Sequence, residues 1–215
     1  MSRLCIIFDL DGTLVDSEDL CNQAFLDLLP DLDGTVDSLT MRYQGMKLAT
    51  VLSDIEARLG RPLPADFEVA YRRRVSELFD SALRPTPGTL EMLEALRCCK
   101  CVASSGPPAK IAHALSVSGL ARYFGEDVFS AYQVGSWKPD PGLFLHAARS
   151  MGYSPNQCIV VEDSPPGLQA AKAAGMTAFH YSPRTHSGDS DEGPHVVFHD
   201  MTDLLRLVDH AERFA

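Results

Sequence analysis

The chain has 215 residues, 45% of them hydrophobic and 22% charged, and a formal net charge of −10. This length suits one core domain carrying a modest insertion, the composition is that of a globular protein, and the acidic balance argues against a nucleic-acid partner, since such binders usually carry a basic face. No stretch is long and apolar enough to span a membrane, and Met1 to Leu10 lacks a signal peptide's apolar region and cleavage site, so a cytoplasmic protein is expected.

Cys5, Cys21, Cys98, Cys99, Cys101 and Cys158 mostly sit in or beside apolar runs, as buried thiols in a reducing compartment do. Cys98-Cys99-Lys100-Cys101 lacks a second ligand pair at zinc-finger spacing.

Leu4 to Phe8 is a short β-branched and aromatic run, the pattern of a strand buried on both faces, and Gly12 marks where it stops. Asp9 and Asp11 sit at its end. Two carboxylates one residue apart at a buried strand end are costly without a compensating cation, and Mg²⁺ suits them. The plain alternative is an Asp-rich turn that solvates the strand end. A calcium loop begun at Asp9 fails, because its sixth and twelfth positions are Leu14 and Leu20 instead of Gly and Glu.

Beyond Ser17 the pattern becomes helical through Leu20, Ala24, Phe25, Leu28 and Leu29, until Pro30. Asp31-Leu32-Asp33-Gly34-Thr35 then repeats the letters of Asp9-Leu10-Asp11-Gly12-Thr13, but it follows a helix end and reads as an interhelical loop. Further helices are expected over 37–80, with Leu48, Val51, Leu52, Ile55 and Leu59 at helical spacing, a break at Gly60 and Pro62, and a second run from Phe67 to Phe79. This helical insertion follows the first strand's C-terminal end, where open parallel sheets bind ligands. Within it, Arg42 and Lys47 flank Gly45 and are candidates for contact with an acidic substrate. Arg72, Arg73 and Arg74 point three ways on a helix, so at most one or two of them face a cleft.

Pro85, Pro87 and Gly88 mark the return to the core, and Thr89 to Leu96 has the spacing of a short helix. Cys99 to Ala103 is a second buried strand, ending in Ser104-Ser105-Gly106, with Pro107 and Pro108 placed for the first turn of a helix. A hydroxyl and free N–H groups at that junction make a phosphate cradle, although on spacing alone Ser104 reads more simply as an N-cap. A helix from Lys110 to Leu120 and a short strand over Val128 to Ala131 lead to Gly135-Ser136-Trp137-Lys138-Pro139-Asp140-Pro141. A helix from Pro141 to Met151 precedes Cys158-Ile159-Val160-Val161, a third buried strand closed by Glu162-Asp163-Ser164. Strands over Thr177 to Tyr181 and Val196 to His199, a polar loop from Ser182 to Pro194 expected to be mobile, and a final helix complete the chain. The alternation implies an α/β fold with a doubly wound parallel sheet.

Four stations together resemble the motifs of the haloacid dehalogenase-like phosphohydrolases. They are Asp9-Leu10-Asp11-Gly12-Thr13, the apolar run ending at Ser104, Lys138-Pro139-Asp140-Pro141, and Glu162-Asp163. The resemblance implies a Rossmann-like core over 1–16 and 84–215 and a helical cap over 17–83. It implies that Asp9 attacks phosphorus to form an aspartyl-phosphate, that Asp11 serves as acid and then base, and that Thr13 orients Asp11. It further implies phosphate binding by Ser104, Ser105, Gly106 and Lys138, and Mg²⁺ held by Asp9, Asp11 through its backbone carbonyl, Glu162 and Asp163.

Asp11 argues against a haloacid dehalogenase, which has no leaving alcohol to protonate. The phosphomutase branch is similar at all four stations but carries a His in the first cap helix, where this chain has Cys21. A response-regulator receiver lacks the insertion and carries its phosphorylated Asp on a later strand, and the intact set of Asp9, Asp11, Lys138 and Asp163 speaks against a scaffold retired from catalysis. The expected function is hydrolysis of a small phosphorylated metabolite, a sugar phosphate or a sugar-acid phosphate such as 6-phosphogluconate.

Overall fold

Six apolar segments pair into one parallel sheet in the computed structural model, which describes residues 3–183 and 196–214. They are β1 (Cys5–Phe8), β2 (Cys99–Ser104), β3 (Val128–Ser130), β4 (Cys158–Glu162), β5 (Thr177–Tyr181) and β6 (Val196–Phe198), in the order β3-β2-β1-β4-β5-β6. The chain builds outward from β1 to β3, then crosses back to the other flank of β1. The crevice at this reversal is where a doubly wound sheet receives ligands. Phe8 is in register with Val102 on one side and Val161 on the other. The Asp9 N–H still donates to the Val161 carbonyl at 2.9 Å, so Asp9 leaves a strand that is held on both flanks.

Helices α1 (Glu18–Leu28), α2 (Val36–Tyr43), α3 (Leu48–Leu59) and α4 (Phe67–Ala82) intervene between β1 and α5 (Thr89–Ala95). The remaining helices are α6 (Pro108–Val117), α7 (Ala121–Phe124), α8 (Ala131–Val134), α9 (Gly142–Met151), α10 (Pro165–Ala173) and α11 (Asp203–Phe214). The chain enters and leaves the α1–α4 segment side by side: Thr86 N–H donates to the Leu14 carbonyl at 3.0 Å, and Asp16 N–H to that of Arg84 at 3.2 Å.

Alternation within β1 splits the interior into two layers. Leu4, Ile6 and Phe8 face a large core that runs through Val102, Val161 and Phe179 into Phe25, Ile55, Val75 and Phe79 of the helical segment. Cys5 and Ile7 face a tighter layer with Cys101, Ala103, Val160, Phe144 and the alanines of α9 and α10. The cysteines are all free thiols.

The boundaries differ from expectation where prolines and charges meet the ends of elements. The helix expected from Lys110 starts at Pro108, since a proline at the first helical position forfeits no hydrogen bond. It stops at Val117, and Gly119 at φ +73° turns the chain into the separate α7. Glu162 is the last residue of β4 and does not lie beyond it. The duplicate Asp31–Thr35 lies in the loop between α1 and α2, where Thr35 caps α2 in a reciprocal box with Ser38. The loop expected over Ser182 to Pro194 lies outside the described residues from position 184 onward.

Phe8 is fully buried and meets Phe124 edge-on at 6.1 Å, with the two acids following directly from its strand. Phe8→Ala is expected to lower stability by about 3–5 kcal/mol, measured by urea denaturation.

Candidate active site

The first turn of the site is set by Gly12, whose φ of +82° suits glycine, and a Cβ here would collide with the carboxylate of Asp163. That close approach draws β1 and β4 together. Thr13, fully buried, donates its hydroxyl to Asp163 Oδ1 at 2.8 Å and so orients Asp163 and not Asp11. Asp11 is held by Ser17, whose Oγ donates to Oδ1 at 2.6 Å, and by Lys110, whose Nζ reaches the same oxygen at 2.7 Å. Burial works against the charge of Asp11, but Lys110 and Ser17 outweigh it and hold the carboxyl below its ordinary value.

Lys138 enters between the strand ends. Its ammonium donates to Asp9 Oδ1 and, at 2.6 Å, to Glu162 Oε1, with the Phe144 ring 5.0 Å away. Burial opposes its charge, yet Asp9 and Glu162 together raise its pKa. The other oxygen of Glu162 accepts from the Ser164 N–H at 2.7 Å and the Ser164 hydroxyl at 2.9 Å. Both oxygens of Glu162 are thus engaged by protein donors, and Gly167 leaves them the room, since a Cβ at Gly167 would fall on the carboxylate.

Ser104, at the buried end of β2, accepts the Gly106 N–H on its Oγ at 3.0 Å, and Ser130 Oγ donates to the Gly106 carbonyl at 2.7 Å. The Ser104–Gly106 loop is therefore tied to both β2 and β3, beside the strand that carries Asp9.

The cap side meets this cluster through the turn after α2. Gln44 Nε2 donates to Asp163 Oδ2 at 3.2 Å, Gly45 lies against Ser164 and Pro166, and Lys47 Nζ sits 5.4 Å from the Trp137 ring centroid. Arg42 is turned away from the acids: its guanidinium grips Asp54 through two bonds of 2.8 and 2.6 Å. Arg72 pairs with Glu68, Arg74 with Asp27 and Glu77, and Arg73 with Glu77 at 3.8 Å.

Asp9, Glu162 and Asp163 are all buried, and Lys138 is the cation between the first two. Burial pushes Asp9 well up against the pull of Lys138, and burial with Glu162 and Glu18 does the same to Asp163. The hydrogen bonds that reach Asp163 come from the uncharged groups of Thr13 and Gln44. A surplus of buried carboxylate oxygen fits a hard divalent cation. Among the described residues no three His, Cys, Asp or Glu side chains form a ready-made cage. Such a donor set suits Mg²⁺, which keeps several waters and takes only one or two carboxylates.

A profile of the haloacid dehalogenase-like hydrolases matches residues 4–175. The chain belongs to that family. It is 36% identical over 191 residues to a 6-phosphogluconate phosphatase from Escherichia coli, covering 87% of this chain and 86% of the relative. A fructose-1-phosphate phosphatase of the same organism is 31% identical over 80% of this chain and 93% of its own. The crystal structure of a haloacid dehalogenase-like protein from Agrobacterium tumefaciens superposes with a TM-score of 0.83 at 30% identity, covering 96% of this chain and 98% of that one. The chain is a phosphatase of the haloacid dehalogenase-like family. Among the described residues of the hydrolase no helix is long and apolar enough to cross a membrane.

Sequence reading passed over Ser17, Glu18, Gln44 and Lys110, all of which adjoin the acids. Lys110 did leave a signal, because a cation in the first turn of a helix opposes the helix dipole. Glu18 opens α1, and burial, with the charges of Asp11 and Asp9, pushes its carboxyl from 4.5 to about 8. Between those values the folded chain holds a proton that the unfolded chain has released, so stability falls as pH rises from 4.5 to about 8. Glu18→Gln removes this slope: in EDTA its urea midpoint should exceed that of the parent protein above about pH 8, with the gap closing toward pH 4.5.

Proposed function

We propose that this phosphatase hydrolyses a small sugar phosphate or sugar-acid phosphate, of the 6-phosphogluconate kind, through an aspartyl-phosphate on Asp9. The reading is carried by the pairing of Asp9 with the buried Lys138 at the sheet's reversal point, two residues from a second carboxylate that has its own donors. The 36% identity to a 6-phosphogluconate phosphatase supports the substrate class.

An Asp9 carboxylate oxygen attacks phosphorus, and the bond from phosphorus to the substrate's ester oxygen breaks. Asp11 gives that oxygen a proton, so the sugar leaves as an alcohol. A dianionic phosphate arriving beside Asp11 raises its proton affinity, which offsets the pull of Lys110. Water then attacks the aspartyl-phosphate at phosphorus while Asp11 takes its proton, and inorganic phosphate departs with Asp9 restored. Lys138 neutralises Asp9 and a phosphoryl oxygen together, and the Ser104 hydroxyl with the Ser105 N–H holds the others, the Gly106 N–H being taken by Ser104 Oγ. Asp9, Asp163 and the Asp11 backbone carbonyl would hold Mg²⁺, with Glu162 acting through Lys138. When bound, the ion offsets the charge of the phosphoryl oxygens.

The phosphomutase alternative gains nothing from position 21, where burial pushes the Cys21 thiol up and makes it a poor proton carrier. In the cap, Lys47 beside Trp137 and Arg72, whose guanidinium donates to the Tyr132 hydroxyl at 3.5 Å, are basic groups turned toward the core, whereas Arg42 is neutralised by Asp54.

Phosphate release from a panel of sugar phosphates tests the reading. Release should require Mg²⁺, favour one sugar or sugar-acid phosphate, and vanish in Asp9→Asn; appreciable turnover by that variant would sink the covalent route. Interconversion of sugar phosphates without release would instead make the protein a mutase. Lys47→Ala should change the preference among substrates, while Arg42→Ala leaves it as it was.

A further inference from the structure

Among the described residues Lys110 is the cation in ion-pair contact with Asp11, and the family's four stations do not include it. It lies in the first turn of α6, immediately after the Ser104–Gly106 loop, where the helix dipole disfavours positive charge. Its side chain is 23% exposed, so its charge is also largely removed from water. Both penalties are offset by one partner, the Asp11 carboxylate at 2.7 Å, and by the face of Phe79 at 5.7 Å.

Phe79 belongs to α4, on the cap side, and its neighbours continue the seam. One turn along α6, His113 lies 6.1 Å from the Phe79 ring, with Nδ1 3.2 Å from Ser76 Oγ and Nε2 2.7 Å from Asp80 Oδ1. Lys110 and His113 are three apart on α6, and Ser76, Phe79 and Asp80 share a face of α4. The two helices therefore meet along one line, and that line ends at the ammonium that grips Asp11.

We propose that Lys110 is a positioning residue: seated by Phe79 of the cap, its ammonium fixes the orientation of the Asp11 carboxyl against the leaving oxygen of the substrate. The inference rests on the role given above to Asp11 as proton donor. Among the described residues two side-chain atoms hold that carboxylate, Ser17 Oγ and Lys110 Nζ, and Lys110 is the one delivered by α6. An Asp11 left with Ser17 alone swings about its χ angles, and an ångström of misplacement of a reacting group costs on the order of 10²-fold. The cost falls only on substrates whose leaving group needs a proton.

The test compares the first turnover, with enzyme in excess, for a sugar phosphate and for p-nitrophenyl phosphate, whose phenolate leaves without protonation. Lys110→Met keeps the stem against Phe79 and removes the charge. It should slow release of the sugar on the order of 10²-fold, slow release of p-nitrophenolate about tenfold less than that, and leave KM near that of the parent protein. Lys110→Arg should recover much of the loss. Asp11→Asn run alongside separates the two readings. If Asp11→Asn shows no preference between the substrates, Asp11 is not the donor and the Lys110 role falls with it. If Asp11→Asn is selective and Lys110→Met slows both substrates alike, raises KM without slowing the first turnover, or changes nothing, then Asp11 keeps its role and Lys110 loses the one proposed. Should Lys110→Met fail to fold, Phe79→Leu, which loosens Lys110 from the cap side, must show the same selectivity for the proposal to stand.

Discussion

The architecture of the site depends on one buried cation. Lys138 lies between Asp9 at the end of β1 and Glu162 at the end of β4, and none of the three is solvated well enough to stand alone. Removing either acid would cost the lysine one of its two carboxylates, and removing the lysine would leave both acids without the cation between them, so the strand ends are locked by mutual need. What surrounds them serves that contact: Phe144 beneath the ammonium, Ser164 on the far oxygen of Glu162, and glycines at 12 and 167 where a side chain would push a carboxylate away. The carboxylates outnumber the lysine, a donor set that suits a divalent ion beside it.

The second constraint is the paired passage at residues 14–16 and 84–86. Four helices are inserted there into a chain whose sheet needs continuity between β1 and β2. Because the ends of the insertion are hydrogen-bonded to each other, closing this long excursion adds little to the cost of ordering the sheet, as loop-closure entropy grows only slowly with length. The helices then share the apolar layer on one face of the sheet, reaching from Phe8 to Ile55 and Phe79. The site is thus covered from the cap side without a separate interface having to be stabilised from nothing.

Most of this was legible where charge interrupts an apolar run. Asp9, Glu162 and Asp163 stand out because each follows or ends a buried strand, and Lys138 because prolines fix the backbone around it. The parallel character of the sheet followed from alternation, but its order did not, since either flank of β1 was open to β4. Ser17, Gln44 and Lys110 escaped notice because hydroxyl, amide and ammonium groups on helices and at their ends are ordinary surface features, and only the placement of α1, α2 and α6 brings them to the acids. Arg42 shows the converse. Its charge and its place beside Gly45 pointed to a ligand, but Asp54 on the next helix takes the guanidinium, and a partner across a helical hairpin cannot be read from spacing. Thr13 likewise orients Asp163, on the neighbouring strand, and not the Asp two residues before it.

The chain holds a single tryptophan, and the fold puts it at the seam. Trp137 stands next to Lys138, edge-on to Tyr132, with the ammonium of Lys47 from the cap over its ring. Indole emission shifts with nearby charge and with wetting, so light excited selectively at the indole, apart from the six tyrosines, comes from one place in the fold. Any separation of the α2–α3 turn from the core would move the Lys47 ammonium off that ring and become an optical signal, readable in real time on the unlabelled molecule.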